Sequence, residues 1–395
     1  MAGSIKRRGP YSFQLRVYRG EVAGRKQYAT KTIKYPEGTS EAHMGRENEK
    51  ALAALITDIE RGTVSTAPKI TLGAFAVDWM HLSCKDRLSP VTYAHYKHLL
   101  EGRIFPALGH KRLAAITPRD LMAFYKSLQQ PGVRKDGKAE KGLSPKSIKD
   151  YHACLSSLFT AAMRMQYIVK NPMDGVAPPK VPRPETAAYT PDQAMAMLEA
   201  LEAEDTMHRV AVHLALFCGL RLGEICGLEF QDIDAQKRLI RIERASKYVV
   251  GSGIITKEPK TASGRRAVPI PAHLLELLWA LKKEKAAERL QKANLWQEHG
   301  RLMTQWDGKP INPDSLSKWW RNFQERAGLQ PVIRFHDLRH TSATLQLAQG
   351  VDMKTVSANL GHSLVSTTMD IYAHALEQKR REGAEALENL LIHSK

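Results

Sequence analysis

Cysteine is scarce in this sequence, and its few cysteines lie far apart. The chain of 395 residues has four, and no two of them form a CxxC pair: Cys84, Cys154, Cys218 and Cys226. Disulfide frameworks are typical of small secreted proteins, and cysteine zinc sites need closely spaced thiolates. The scarcity excludes both, and it predicts reduced cysteines buried in the cores of a cytosolic protein.

Long hydrophobic runs are missing as well. No segment approaches the roughly 18 consecutive apolar residues of a membrane span. The N-terminus has no apolar stretch of the signal-peptide kind. We therefore expect no membrane partner and a location in the cytoplasm.

Acidic residues are outnumbered by basic ones. Asp and Glu number 41 against 59 Lys and Arg, so the formal net charge is +18 at pH 7, and the isoelectric point is about 9.7. This excess favours a polyanionic partner, most commonly nucleic acid, over a protein that is merely soluble and basic. The hydrophobic content of 43% is ordinary for a globular protein, and the length allows two or three domains.

Residues 1–62 combine a strand pattern with a helix pattern. YSFQLRVYRG and KQYATKTIKY alternate apolar and polar residues around a turn, EVAGRK, and a helix follows with Thr39 or Ser40 as its cap. Residues 1–34 hold nine Lys or Arg and one acid, Glu21. This charge favours DNA binding over a solvated accessory face, and the candidates are Lys6, Arg7, Arg8, Arg16, Arg19, Arg25, Lys26 and Lys31.

Two further segments complete the predicted architecture. Residues 70–180 hold four helical patterns that each begin with Ser or Thr. A basic loop there, QQPGVRKDGKAEKGL, and the helix start after it add three DNA-binding candidates: Arg134, Lys135 and Lys146. After the Pro-rich linker 177–186, residues 188–395 have helical patterns and three strand patterns. The predicted class is multidomain α+β: a small N-terminal three-stranded sheet plus helix, a helical domain, and a mostly helical domain with a small antiparallel sheet.

The segment RFHDLRHT raises a question of chemistry. His336 and His340 have the helical spacing of a zinc-binding pair, but Arg339 lies between them on nearly the same face. Other candidate groups are Arg221 with Glu224 three residues later, Lys260 in a turn, His362 at a helix junction, and Tyr372 on the helix that follows. Each residue alone also suits a structural role, such as an internal ion pair for Arg221 and Glu224.

As an ordered set, these motifs resemble those of the tyrosine recombinases. They are RLGE with Arg221, PKT with Lys260, HDLRH with TSAT behind it, LGHS, and DIYAH with Tyr372. Within that family the chain is similar to phage and conjugative-transposon integrases over almost its whole length, with no catalytic position missing. The resemblance implies an arm-type DNA-binding domain, a SAM-like core-binding domain and a catalytic tyrosine recombinase domain at residues 1–62, 70–180 and 188–395.

The resemblance also implies a site-specific recombinase that integrates or excises a mobile element, such as a phage genome. It would cut and rejoin DNA through a 3′-phosphotyrosyl intermediate and a four-way junction, with no metal, nucleotide or other cofactor. Arg221 and Arg339 would grip the scissile phosphate, and Tyr372 would be the nucleophile. Lys260 would protonate the leaving oxygen, and supporting contacts would come from His336, His362, Glu224 and His340.

The implied partners are double-stranded DNA at core and arm attachment sites and three further copies of the chain, as a homotetramer on synapsed DNA. Excisionase or DNA-bending accessory proteins, in a bacterial cytoplasm or nucleoid, are further expectations. The tail has a helical stripe at Ala384, Leu387 and Leu391. This stripe either docks on a neighbouring subunit, as family tails often do, or packs on its own domain.

Three other classes of protein fit the sequence less well than the integrase. A zinc hydrolase would need a third ligand and usually Glu where Asp337 stands, and Arg339 would repel its metal. A non-catalytic DNA-binding regulator could use DMKTVSANLGHSLVSTTMDIY as a helix-turn-helix, but it leaves Arg221, Lys260 and Tyr372 unexplained. A type IB topoisomerase would share the chemistry without needing residues 1–62.

Overall fold

The computed structural model describes residues 3–22, 25–60, 70–134, 140–182, 187–258, 264–361, 387–388 and 391–392. Contacts between residues divide the chain into two units, Met1–Pro182 and Arg183–Lys395. The division falls within the Pro-rich segment 177–186, where proline cannot donate a backbone hydrogen bond.

The N-terminal module is an antiparallel sheet with a helix against one face. Its strands are β1 (Gly3–Gly9), β2 (Ser12–Val22) and β3 (Arg25–Lys34), in the order β1-β2-β3. Helix α1 spans Glu41–Glu60. Leu15 and Val17 of β2 are fully buried together with Leu55 and Ile59 of α1. The alternating pattern is confirmed, but the predicted turn EVAGRK is too long, because Glu21 still pairs with Lys26 and Val22 with Arg25.

The helical segment follows the predicted caps. The helices α2 (Leu72–Trp79), α3 (Pro90–Leu99), α4 (Pro118–Leu128) and α5 (Pro145–Arg164) begin after Thr71, Ser89, Thr117 and Ser144, whose side chains each accept a backbone hydrogen bond. π-Helical turns extend α2 and α3 through Met80–Cys84 and Leu100–Gly109. Short 3₁₀ turns lie at Leu113–Ala115 and Pro172–Gly175. The helices share one apolar core that includes Ile104, Leu121 and Phe159.

The second unit begins with α6 (Pro191–Leu201), α7 (Thr206–Phe217) and α8 (Leu222–Ile225). It continues with α9 (Ala272–Lys292), α10 (Pro313–Arg326), α11 (Asp337–Ala348) and α12 (Met353–Leu360). Seven consecutive residues of α7, Val210 to Leu216, are buried, so this helix is surrounded by the core on all sides. Trp320, Phe323 and Leu338 pack in the same core.

The strands of the second unit differ from the prediction. A three-stranded sheet has the order β4 (Ile233–Asp234), β5 (Leu239–Ile242), β8 (Arg266–Pro269), and a separate hairpin joins β6 (Ala245–Val249) to β7 (Gly253–Lys257). The prediction found β5, β7 and β8 and missed β4 and β6. β4 has only two residues, and β6 buries the polar Ser246, so neither carries a clear apolar alternation.

Two stretches predicted as continuous helix are interrupted or not helical. The first is the pattern at 206–228, which breaks after Phe217 because Gly219 adopts the left-handed conformation with φ of 62°. The second lies between α9 and α10. This stretch begins with a 3₁₀ turn at Ala293–Leu295. It then forms two isolated β-bridges, one between Arg301 and Glu229 and one between Thr304 and Pro310.

All four cysteines are buried and free. Burial raises the pKa of the thiols of Cys154, Cys218 and Cys226 to about 12, so these groups stay protonated and unreactive at neutral pH. In the described part of the chain no helix is long and apolar enough to cross a membrane.

Replacing Gly219 by alanine should destabilise the second unit more than the same change at Gly328. Both glycines are left-handed, with φ of 62° and 64°, but a Cβ at Gly219 would lie 2.6 Å from Leu360 Cδ2, whereas a Cβ at Gly328 meets nothing within 4 Å. We expect a loss of about 2–4 kcal/mol for G219A and about 1 kcal/mol for G328A.

Urea unfolding of the full chain followed by tryptophan fluorescence measures this difference. Five of the six tryptophans lie in the second unit, and the sixth is Trp79. Equal midpoints for the two variants would contradict the close approach of Gly219 and Leu360.

Candidate active site

Arg221 and Glu224 form a pair at the start of α8. Its spacing from Glu224 predicted that Arg221 lies inside a helix, but Arg221 is the residue that precedes the first turn of α8. The Glu224 carboxylate accepts from the Arg221 backbone N–H at 2.9 Å and from Arg221 Nη1 at 2.7 Å. The predicted pairing of these two residues is therefore present, with the guanidinium 38% exposed and the carboxylate buried.

Arg339 lies in the first turn of α11 and is only 2% exposed. Its Nη1 donates to the Gly219 carbonyl at 2.7 Å, and its Nη2 donates to the Leu360 carbonyl at 2.5 Å. Arg221 Nη2 donates to the next carbonyl, that of Gly361, at 3.3 Å. Two predicted phosphate-gripping residues, 118 positions apart by their residue numbers, thus meet at the carboxyl end of α12.

His336 and His340 pack edge to face, with ring centroids 5.2 Å apart. Burial lowers the pKa of His336, and the charges of Arg339 and Arg221 lower it further. Burial also lowers the pKa of His340, to about 4, with His336 as the next cause. Both rings are therefore neutral at pH 7, and each can donate at one nitrogen and accept at the other.

Asp337 is the first residue of α11, as predicted for an acid at a helix start, but its partner was not predicted. Its carboxylate accepts from Arg334 at the backbone N–H (2.8 Å), Nε (2.9 Å) and Nη2 (2.7 Å). Burial alone would raise the pKa of Asp337, and the hydrogen bonds from Arg334 hold it below its usual range. In the described residues no group of three His, Cys, Asp or Glu side chains could hold a metal ion.

Arg266 is a residue of this site that the sequence analysis missed. It donates to Glu224 through Nη1 (3.2 Å) and Nη2 (2.9 Å), and its Nε donates to the Asn359 carbonyl at 2.7 Å. The signal for it was the alternation of β8, which places Arg266 on the same face as the buried Val268. A buried arginine needs acceptors, so this alternation was the one available signal that Arg266 has an acidic partner.

Three predicted catalytic residues, Lys260, His362 and Tyr372, lie outside the described residues. The helix end predicted at Gly361 is present: this glycine is left-handed, with φ of 64°, and closes α12. His362 is the next residue of the chain. Of the apolar stripe predicted for the tail, Leu387 and Leu391 are described, and both are exposed.

The predicted DNA-binding residues of the N-terminal sheet are divided between its two faces. Residues opposite one another on paired strands share a face, and this register puts Lys6, opposite Gln14, together with Arg16 on the face away from α1. Arg8 bonds to Gln14, and the guanidinium of Arg16 lies 4.3 Å from the Tyr28 ring centroid.

The other face of the sheet holds Arg7, which pairs with Glu41 at 2.8 Å, and Lys31, which is opposite the buried Leu15. For Arg19, Arg25 and Lys26 only the strand positions are described, and Lys135 lies outside the described residues. Arg134 lies at the edge of the basic loop, and Lys146 is exposed in the first turn of α5.

Two family descriptions match this chain. Residues 188–379 match the phage integrase family, and residues 71–129 match the N-terminal SAM-like domain of phage integrases. A XerC-like tyrosine recombinase of Caldanaerobacter subterraneus is 29% identical over 391 residues, covering 93% of this chain and 92% of the relative. The ICEBs1 integrase of Bacillus subtilis is 29% identical over 311 residues, covering 78% of this chain and 80% of that relative.

Solved structures share the fold. The Tn1549 transposon integrase in complex with a circular intermediate DNA is similar with a TM-score of 0.63 at 22% identity, covering 80% of this chain and 99% of that one. A lambda integrase dimer bound to a core site is similar with a TM-score of 0.56 at 19% identity, covering 77% of this chain and 95% of that one.

Acid should destabilise the second unit through His340, in a pH window that the shift of its pKa sets. The pKa of His340 falls from an ordinary value of about 6.5 to about 4 on folding. Its neutral ring therefore contributes its full stability above pH 6.5, and that contribution is lost as the pH falls towards 4.

Urea midpoints measured between pH 6.5 and 5 test this expectation. The midpoint of H340Q should fall less steeply with acid than that of the wild type, because glutamine does not bind a proton. The matched control is the exposed His299, whose replacement by Gln should leave the wild-type slope. Parallel slopes for H340Q and the wild type would rule out the lowered pKa of the His340 ring.

Proposed function

The chain belongs to the phage integrase family of site-specific tyrosine recombinases, and we propose that Arg221 and Arg339 grip the scissile phosphate of its DNA while Tyr372 attacks the phosphorus. The observation that carries this assignment is the meeting of two guanidiniums at the end of α12. His362 follows that end directly in the sequence, and Tyr372 follows ten residues later.

The chemistry suits these residue types. A phosphodiester gains charge on its non-bridging oxygens as a nucleophile adds, and guanidiniums can meet those oxygens with paired hydrogen bonds that a lysine cannot match. The buried Arg339 is fixed by two carbonyls, whereas Arg221 is 38% exposed. One arginine thus supplies a rigid charge, and the other is open to the substrate.

Each bond change is assigned to a group. The phenol oxygen of Tyr372 forms a bond to phosphorus, and the bond from phosphorus to the 5′-oxygen breaks, so the products are a 3′-phosphotyrosyl link and a 5′-hydroxyl. Lys260 gives its proton to the departing oxygen. A free tyrosine has a pKa near 10, and the surrounding cations lower the cost of its ionisation. Attack by a second 5′-hydroxyl on the link rejoins the DNA without ATP.

The histidines act as neutral hydrogen-bonding groups. The pKa of His336 is lowered by burial and by the neighbouring arginines, so at neutral pH it can accept a proton from the attacking hydroxyl or donate to the phosphate. His362 adds a hydrogen bond to the same phosphate. His340 supports His336 through their ring contact.

The domains divide the DNA between them. Residues 70–180 and 188–395 hold the core site, and residues 1–62 bind a separate arm site through the face of the sheet that carries Lys6 and Arg16. Four copies assemble on two synapsed DNA sites and exchange strands through a four-way junction. Accessory proteins that bend the DNA or favour excision act on this assembly, in a bacterial cytoplasm or nucleoid.

Replacing Tyr372 by phenylalanine should abolish covalent attachment to DNA, since no other group then supplies the attacking oxygen. The protein is incubated with a nicked core site in the presence of EDTA, and the protein–DNA adduct is resolved on a denaturing gel. Tyr248, 43% exposed, provides the control, and Y248F should form the adduct at the wild-type level.

Each outcome of that experiment has a distinct meaning. An adduct formed by Y372F as fast as by the wild type would show that the nucleophile is another residue. A wild type that binds DNA but forms no adduct would favour the DNA-binding regulator over the enzyme.

Deleting residues 1–62 should leave core-site cleavage intact and reduce recombination between complete attachment sites by about 10-fold or more, because the second DNA contact that raises avidity is lost. The module has its own small core of Leu15, Val17, Leu55 and Ile59, so its removal leaves the core of the helical segment in place. Gel assays of cleavage and of recombination measure the two effects. Wild-type recombination by the shortened chain would overturn the arm-binding assignment.

A further inference from the structure

Three arginines of the second unit hold three successive carbonyls at one helix end. Arg266 donates to Asn359 at 2.7 Å, Arg339 to Leu360 at 2.5 Å, and Arg221 to Gly361 at 3.3 Å. The last carbonyls of a helix have no partners within it and form the negative end of its dipole, so cations are favourable there. Two of these arginines belong to the proposed phosphate grip, and the third, Arg266, has no part in it.

Arg266 joins three separate elements. It projects from β8, its two terminal nitrogens meet the two carboxylate oxygens of Glu224 on α8, and its Nε reaches the Asn359 carbonyl of α12. Its side chain is 7% exposed, and that of Glu224 is 6% exposed. A guanidinium is a planar fork, so satisfying all these acceptors at once fixes their relative positions.

The fixed carboxylate in turn directs Arg221. One oxygen of Glu224 accepts from Arg221 Nη1 at 2.7 Å, and the other accepts from the Arg221 backbone N–H at 2.9 Å. The guanidinium of Arg221 is the more exposed end of the chain of contacts, at 38%. A rotation of the Glu224 carboxylate would therefore change the direction in which Arg221 points.

We propose that Arg266 is a positioning residue for strand cleavage, which orients Arg221 through Glu224 and at the same time fixes the end of α12 from which the chain continues to His362. This inference rests on the proposed function of Arg221 at the scissile phosphate. Arg266 itself makes no contact with the DNA in this scheme.

The charges around Glu224 also support a positioning role for Arg266. Among the described residues, the charged groups that face its carboxylate are Arg266 from β8 and Arg221 from its own turn. Burial would raise the pKa of Glu224, and the hydrogen bonds and charge of Arg266, followed by those of Arg221, outweigh burial and hold it below its usual range. Without Arg266 the pKa of Glu224 should rise, so that acid neutralises the carboxylate and weakens its ion pair with Arg221 at a higher pH than in the wild type.

Single-turnover cleavage of a nicked core site by the full chain tests the proposal. The amount of DNA is varied so that the saturating rate is separated from the half-saturating concentration. We expect R266M to lower the saturating rate by about 10- to 100-fold, the cost of a small misplacement of a catalytic group, with little change in the half-saturating concentration. R266K keeps the charge without the fork, and it should recover part of the rate.

The neighbouring arginine is a matched control. Arg265 is 53% exposed and pairs with the exposed Glu258. R265M should cleave at the wild-type saturating rate, and the loss of any contact between Arg265 and DNA would appear in the half-saturating concentration instead.

A pH profile separates positioning from a general loss of structure. As the pH falls, the rate of R266M should start to decline at a higher pH than that of the wild type, because Glu224 becomes protonated earlier. The double variant E224Q/R266M should lack this early decline, since glutamine does not titrate.

A wild-type saturating rate for R266M overturns the positioning role, and so does a lower rate with an unshifted pH profile. If R266M fails to fold, R266K decides between the two views, with a lowered saturating rate supporting the proposal and an unchanged one overturning it. A wild type that forms no adduct would instead refute the proposed function on which this inference rests.

Discussion

The second unit of this protein depends on burying the guanidinium of Arg339. A buried charge is costly unless its N–H groups find acceptors, and here the acceptors are two backbone carbonyls from distant segments, Gly219 and Leu360. Gly219 can supply its carbonyl because it is left-handed and lies close against Leu360. The break between α7 and α8 and the end of α12 are thus held together by one side chain.

This arrangement gathers positive charge while keeping the histidines neutral. Arg221, Arg266 and Arg339 converge on one helix end, and Glu224 is the carboxylate that pairs with the first two. Burial and the neighbouring cations lower the pKa values of His336 and His340. Such a site suits an anion that needs hydrogen bonds as well as charge, which is the character of a phosphodiester in a displacement reaction.

Local signals in the sequence predicted much of the fold and failed where distant contacts decide the structure. Thr71, Ser89, Thr117 and Ser144 mark helix starts because a cap needs only the next few backbone N–H groups. The apolar pattern around Gly219 predicted a continuous helix. No neighbouring residue indicated that the distant Arg339 would use the Gly219 carbonyl as an acceptor. The strand β6 is a second example, because it buries the polar Ser246, whose hydroxyl forms a hydrogen bond with Thr256 on the partner strand. An apolar alternation could therefore not have predicted this strand.

The sequence by itself determined the chemistry available to this protein: its positive charge, the residue types of the proposed phosphate site, and their order along the chain. Only the tertiary structure decided which of these residues meet, because helical spacing fixes neighbours within a turn and not across 118 positions. It brought Arg221 and Arg339 to the same helix end and added Arg266, which resembled an ordinary strand residue in the sequence. The reason is that a buried guanidinium needs several acceptors at fixed angles, and here those acceptors come from separate parts of the folded chain.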